Sequence, residues 1–266
     1  MPRLSRRRLS TSLRVFTGVL PRGFPGASAR FGRVRSPWIV AAALAVVLVA
    51  AACVPPPPPL PPPGSKVFLT FDDGPSVYTP QILSELQAEG VPATFFVIGQ
   101  NAQKAPTFVQ QEHADGEVIG DHTWDHQDLT TLSSDQVKSE LQSTADEITS
   151  LTGTPPTLWR PPFGAFNDTV TQIASSLGLS MRLWDIDTQD WTMPGTNTIV
   201  NNVVNNVRPG VIILMHDGSP DLTGDRSQTV AALPTIIDTL RARGYDFGKL
   251  STTGGPTGPN VAVSGE

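Results

Sequence analysis

From Lys66 to Phe247 short apolar runs alternate with helical patterns, and this alternation limits the fold more than any other feature. The runs are rich in β-branched and aromatic residues, as in Ala93-Thr94-Phe95-Phe96-Val97-Ile98-Gly99 and Val211-Ile212-Ile213-Leu214-Met215, and read as buried strands. Further strands are expected at Lys66–Phe71, Glu117–Gly120, Thr157–Arg160, Met181–Asp187 and Gly244–Phe247. The first helix is expected to have Thr79 as its cap and Pro80 at its first position, with Ile82, Leu83 and Leu86 on one face and Gly90 at its end. Others are expected near Thr107–Ala114, over Ser134–Leu151, after an Asn167 cap, around Ile199 and Val203, and from Val230 to Leu240. Seven such alternations make one parallel α/β domain. A closed or nearly closed barrel fits better than a doubly wound sheet, because no glycine-rich phosphate loop follows the first strand.

The N-terminal part has a different character. Ile39–Ala52 is uncharged and apolar but shorter than the roughly 20 residues that span a bilayer, so it reads as a signal-peptide core. It ends in Val49-Ala50-Ala51-Ala52-Cys53, which resembles a bacterial lipobox with Cys53, the chain's one cysteine, as the lipidated residue. Ordinary cleavage after Ala52 is the competing reading, and both imply export. Ser5-Arg6-Arg7-Arg8-Leu9 looks like a twin-arginine signal, but the apolar core lies too far downstream, which points to a translation start nearer Val34. Residues 54–65 are proline-rich and favour an extended spacer of about 30 Å rather than a ligand for SH3-type domains. The expected organisation is an export signal at 1–53, a linker at 54–65, the α/β domain at 66–251 and a disordered tail at 252–266.

Charge follows the same division. Residues 1–35 hold nine arginines and no acid, leaving ten Lys/Arg against 24 Asp/Glu in the rest, a net charge of −14. So acidic a body lacks the basic stripe that nucleic acid requires and disfavours a strongly anionic substrate.

Chemistry gathers where the strands end. Asp72 and Asp73 follow the first strand in Thr70-Phe71-Asp72-Asp73-Gly74-Pro75. His122 and His126 follow the third, Arg160 ends the fourth, Asp187, Asp190 and Trp191 follow the fifth, and His216 and Asp217 follow the sixth. In a parallel barrel all these ends meet on one face, where barrel active sites lie. Alone, Asp-Asp-Gly-Pro is equally good as a solvated turn, and two histidines four apart are as well explained by loop hydrogen bonds. Together they offer two imidazoles and a carboxylate to one point, the three-ligand pattern of hydrolytic zinc sites.

At this point the sequence resembles the polysaccharide deacetylases, the NodB-homology domain of carbohydrate esterase family four. Thr70-Phe71-Asp72-Asp73-Gly74, His122-x-x-x-His126, Arg160-Pro161-Pro162-Phe163, Asp187-x-x-Asp190-Trp191 and Leu214-x-His216 match that family's five motifs in order, over about Lys66 to Ser251. The resemblance implies a distorted, incomplete (β/α) barrel of about seven parallel strands with one divalent metal, usually Zn2+. It makes Asp73, His122 and His126 the metal ligands and Asp72 the general base, held by Arg160. His216 would be the general acid, tuned by Asp190, and Trp191 and Leu214 would wall the acetyl pocket. Phe163 stands where the family often has tyrosine, but the backbone N–H there is the group implied to serve the oxyanion.

The implied activity is removal of N-acetyl groups from peptidoglycan or chitin-type glycans by a monomer tethered to the outer face of the cytoplasmic membrane through Cys53, or otherwise secreted. An esterase for O-acetylated xylan and a non-catalytic sugar-binding lipoprotein are the alternatives. A glycosidase needs two carboxylates facing each other across a sugar, which adjacent aspartates do not supply.

Overall fold

The computed structural model describes residues 60–252. The export signal with Cys53, residues 54–59 of the linker and the tail from 253 lie outside them. At the linker's end the chain turns, with the Ser65 N–H donating to the Pro62 carbonyl at 3.1 Å.

The strands are β1 (Lys66–Gly74), β2 (Ala93–Val97), β3 (Val118–Asp121), β4 (Leu158–Trp159), β5 (Ser180–Met181), β6 (Ile186–Asp187), β7 (Ile212–His216) and β8 (Asp246–Phe247). The longer helices between them are α1 (Thr79–Glu89), α2 (Gly99–Lys104), α3 (Pro106–Ala114), α4 (Ser134–Thr152), α5 (Asp168–Ser176), α6 (Thr196–Val204) and α7 (Ser227–Ala242). All strand pairs are parallel, in the order β5-β4-β3-β2-β1-β7-β6, with β8 beside the start of β1. The sheet curls into the expected incomplete barrel, open between β5 and β6.

Period-2 alternation sorts the side chains. Leu69, Phe71, Phe95, Val97, Ile213 and Met215 point outward and join one large cluster with residues of α1, α6 and α7. Trp159 packs with Val137, Leu141, Val170 and Ala174 of α4 and α5. The inward residues Phe68, Phe96, Leu158 and Ile212 form a separate plug with Leu250 inside the barrel. Each fully buried Phe or Leu here stabilises by about 1.5–3 kcal/mol relative to exposure. Gly120, the register partner of Phe96, makes room for that ring: a Cβ there would sit 2.6 Å from it. Above the plug the inward positions are Thr70 and Leu214, then Asp72 and His216, in register across β1 and β7. The interior thus changes from apolar to ionisable along two strands.

Three expectations need correction. Met181–Asp187 is not one strand: Ser180–Met181 pairs with β4 while Ile186–Asp187 pairs with β7, so residues 182–185 cross from one sheet edge to the other. Thr79 does not cap its helix; Tyr78 takes that place without a side-chain bond, and the buried Thr79 hydroxyl bonds Ser76 and Asp217 instead. The first strand continues through Asp72 and Asp73 to Gly74.

Candidate metal centre and active site

In a regular strand Asp72 and Asp73 would point to opposite faces. The register of β1 on β2 prevents this: Asp72 faces Phe96 and Gly74 faces Val97, so Asp73 is an extra residue with φ 70°. Such a bulge re-aims a side chain, and aspartate tolerates the left-handed region better than most residues. Both carboxylates consequently approach one imidazole, His122 Nε2, at 3.7 Å for Asp72 Oδ2 and 3.3 Å for Asp73 Oδ1. The bend therefore starts at Asp73, one residue before Gly74-Pro75.

The histidines lie in a tight turn after β3, not on a helix. Thr123 and His126 have φ 66° and 65°, and the Thr123 N–H donates to the buried Asp121 carboxylate at 2.8 Å. The Thr123 hydroxyl in turn accepts the His126 N–H at 3.1 Å. His122 Nδ1 donates to the Arg160 carbonyl at 2.7 Å, which leaves Nε2 as a lone-pair donor when the ring is neutral. His126 Nε2 lies 3.2 Å from Asp73 Oδ1. Donor atoms of Asp73, His122 and His126 all fall within 4.8 Å of one another.

Among the described residues nothing hydrogen-bonds the buried Asp73 Oδ1, as expected of an atom arranged for a cation. Protonation states agree for two of the three candidate ligands. Burial raises the Asp73 carboxyl, but the close His122 ring and the charges of His216 and His126 bring it down to about 2. Burial and the neighbouring His122 charge lower His126 to about 4. For His122, burial is outweighed by Asp72 and Asp73, which raise it. His122 Nε2 lies between the two carboxylates, so proton and cation would compete for it.

Arg160 is fully buried and every nitrogen of its guanidinium is engaged. Nη1 donates to Asp72 Oδ1 at 2.7 Å and to the Thr70 hydroxyl at 2.9 Å. Nε and Nη2 donate at 3.0 Å to the carbonyls of Arg182 and Leu183, on the crossing between β5 and β6. The guanidinium also lies 4.2 Å over the Phe96 ring. An ion pair this deep persists because its remaining donors are satisfied.

Across the mouth, His216 Nδ1 bonds Asp190 Oδ1 at 2.7 Å, while Asp190 Oδ2 accepts the His216 backbone N–H at 2.8 Å and the Thr229 hydroxyl at 2.6 Å. Burial alone would lower the His216 pKa; the Asp190 carboxylate, with Asp73 and Asp72 behind it, holds it up at about 9.

The remaining candidates ring this centre. Phe163, with φ 59° in the Pro162–Gly164 turn, is exposed and meets His126 edge-on at a centroid distance of 4.7 Å. Trp191 is 55% exposed, in the turn that presents Asp190. Leu214 is buried one inward position below His216. Sequence reasoning missed Thr70, Thr229 and Asp121. Of these Thr70 carried a signal, a polar residue two before Asp72 and so on the same strand face.

Comparison with known proteins agrees with this arrangement. A family model described as polysaccharide deacetylase matches residues 60–182. A chitooligosaccharide deacetylase from Rhizobium leguminosarum bv. trifolii is 38% identical over 69% of this chain and 89% of its own. The chain belongs to the polysaccharide deacetylase family. Another member, a peptidoglycan-N-acetylglucosamine deacetylase from Bacillus cereus, is 40% identical over 68% of this chain and 84% of its own. Among solved structures, a family 4 carbohydrate esterase from Streptomyces lividans in complex with acetate superposes with a TM-score of 0.66 at 36% identity, covering 71% of this chain and 95% of that one.

Proposed function

We propose that the chain is a metal-dependent hydrolase that removes N-acetyl groups from N-acetylglucosamine-containing polysaccharide and releases acetate. The observation that carries this reading is the β1 bulge, which gives two adjacent carboxylates different partners. Asp73 Oδ1 is buried and faces two imidazole nitrogens, while Asp72 is held by Arg160. Asp73, His122 and His126 form a nitrogen and oxygen donor set suited to Zn2+, which when bound would polarise the acetyl carbonyl and lower the pKa of a water.

The protein's own groups do the rest. Asp72 accepts the proton of the attacking water, and Arg160 keeps that carboxylate aimed between hydrolytic steps. The Phe163 backbone N–H donates to the developing oxyanion, so the missing tyrosine hydroxyl costs nothing there. An amine leaves poorly until protonated, and His216, kept cationic by Asp190, delivers that proton. Trp191 and Leu214 bound the space for the acetyl methyl. Because Asp72 and Asp73 approach the same imidazole nitrogen, they cannot face each other across a sugar as a glycosidase requires.

Peptidoglycan glycan strands are the first substrate choice and chitin-type chains the second, in line with the relatives above. Export with a lipid on Cys53, placing the domain at the outer face of the membrane, is part of the same proposal. Cys53→Ala should move the protein from the membrane fraction to the medium. The main test is acetate release by the purified protein from N-acetylated peptidoglycan strands, chitin oligomers and acetylated xylan, with chelator and with added Zn2+. Chelator-sensitive release from the first two is expected; no release from any of the three would sink the enzymatic reading.

A further inference from the structure

Asp217 follows His216, is fully buried and has no part in the chemistry above. It nevertheless holds the turn that carries both aspartates. Its backbone N–H donates to the Asp72 carbonyl at 3.1 Å, and its own carbonyl accepts the Ser76 hydroxyl. Its Oδ2 accepts the Thr79 hydroxyl, whose oxygen accepts the Ser76 N–H at 2.8 Å. One residue at the end of β7 therefore holds Asp72 by its main chain, and Ser76 and Thr79 by main chain and carboxylate.

The packing is close enough to dictate glycine on both sides. A Cβ at Gly74 would lie 2.2 Å from Asp217 Oδ2, and a Cβ at Gly218 would lie 2.2 Å from the Asp73 carbonyl oxygen. From α2, Asn101 Nδ2 donates to that same Asp73 carbonyl at 2.9 Å and to the Ser219 carbonyl at 3.0 Å. The β1 bulge is thus clasped from the β7 side, where Asp72 and His216 are register partners.

We propose that Asp217 is a positioning residue: its carboxylate fixes the bulged turn and so sets Asp72 and Asp73 relative to His216. This rests on the deacetylase reading of the site. It differs from a purely structural role in a measurable way. Asp217 Oδ1 has no hydrogen-bond partner among the described residues, and a buried, half-satisfied carboxylate adds little net stability. Its loss should therefore affect the site more than the fold.

The experiment compares Asp217→Ala, Asp217→Asn and Thr79→Val with wild type in the full chain, by Zn2+ competition titration, steady-state acetate release and thermal unfolding of the metal-free protein. Asp217→Ala is expected to weaken Zn2+ binding about 10–100-fold and to lower kcat about 100-fold with little change in KM, while the unfolding midpoint stays near wild type. Asp217→Asn, which keeps an acceptor for Thr79, should recover most of both losses. Thr79→Val should give a smaller defect of the same kind, and it carries the test if Asp217→Ala fails to fold. The Zn2+ titration reports on Asp73 whether or not acetate is released, so failure of the deacetylase reading is seen separately, in the wild type. Wild-type Zn2+ affinity in both Asp217→Ala and Thr79→Val would overturn the proposal, as would losses that only track a lowered midpoint.

Discussion

Asp190→Asn isolates the group that keeps His216 protonated. The ring sits at about 9 against an ordinary 6.5, although its burial pushes the other way. That difference is worth about 3 kcal/mol of preference for the imidazolium, most of it from a carboxylate at 2.7 Å. Asparagine keeps the shape and can still bond the ring and Thr229, but it carries no charge. The largest raising charge is then gone, and the His216 pKa should fall well below 9. At pH 8 the wild-type ring is charged and the variant ring neutral, so kcat should drop by about 10²–10⁴-fold, with the basic limb of the pH–rate profile displaced toward acid. Stability should follow the same linkage. The folded pKa is raised, so the stabilisation is complete below 6.5 and is lost as pH rises through about 9; in the variant this alkaline loss should vanish. Acetate release across pH 5–10 and NMR titration of the His216 ring measure both. An unmoved basic limb in Asp190→Asn would refute the assignment of His216 as the acid.

Asp72→Asn should abolish turnover yet bind Zn2+ as wild type does, whereas His126→Ala should lose both; isothermal titration separates them, and equal loss of metal would contradict the division of roles. Arg160→Met should lower stability by about 3–5 kcal/mol, because it strands a buried carboxylate, and leave two carbonyls without donors; urea unfolding measures this. Zn2+ affinity should weaken as pH falls through the raised His122 pKa, since proton and cation compete for the same nitrogen; titration at a series of pH values shows the slope. Phe163→Tyr should leave kcat within about twofold, because the side chain is exposed and only its backbone N–H is assigned a task.

The grouping of Asp72, Asp73, His122, His126, Arg160, Asp190 and His216 was legible because βα alternation sends every strand end to one rim, whatever the strand lengths. The bulge was not, since whether Asp73 faces with or against Asp72 depends on where β2 pairs. The broken fifth strand was hidden for a similar reason. Arg182 to Asp185 have nothing in their local pattern to show that the sheet's two edges lie on either side of them. Thr229 and Asp121 act by single hydrogen bonds to a residue distant in sequence or to a main chain of unusual conformation, which leaves no periodic trace. Asp217 is visible in the sequence as a strand-end acid, but its task appears only when Ser76, Thr79 and the two flanking glycines are seen packed against it.

The crossing between β5 and β6 has a consequence for how the molecule fails. Against this crossing lies the Arg160 guanidinium, bonded to the carbonyls of Arg182 and Leu183 on one side and to Asp72 on the other. A fluctuation that carries residues 182–183 away from Arg160 would loosen the same side chain that holds Asp72. On warming, inactivation should therefore run ahead of global unfolding, with backbone amides around residues 182–186 exchanging with solvent before those of β1 and β7. One side chain thus ties the crossing segment to the carboxylate proposed to activate water.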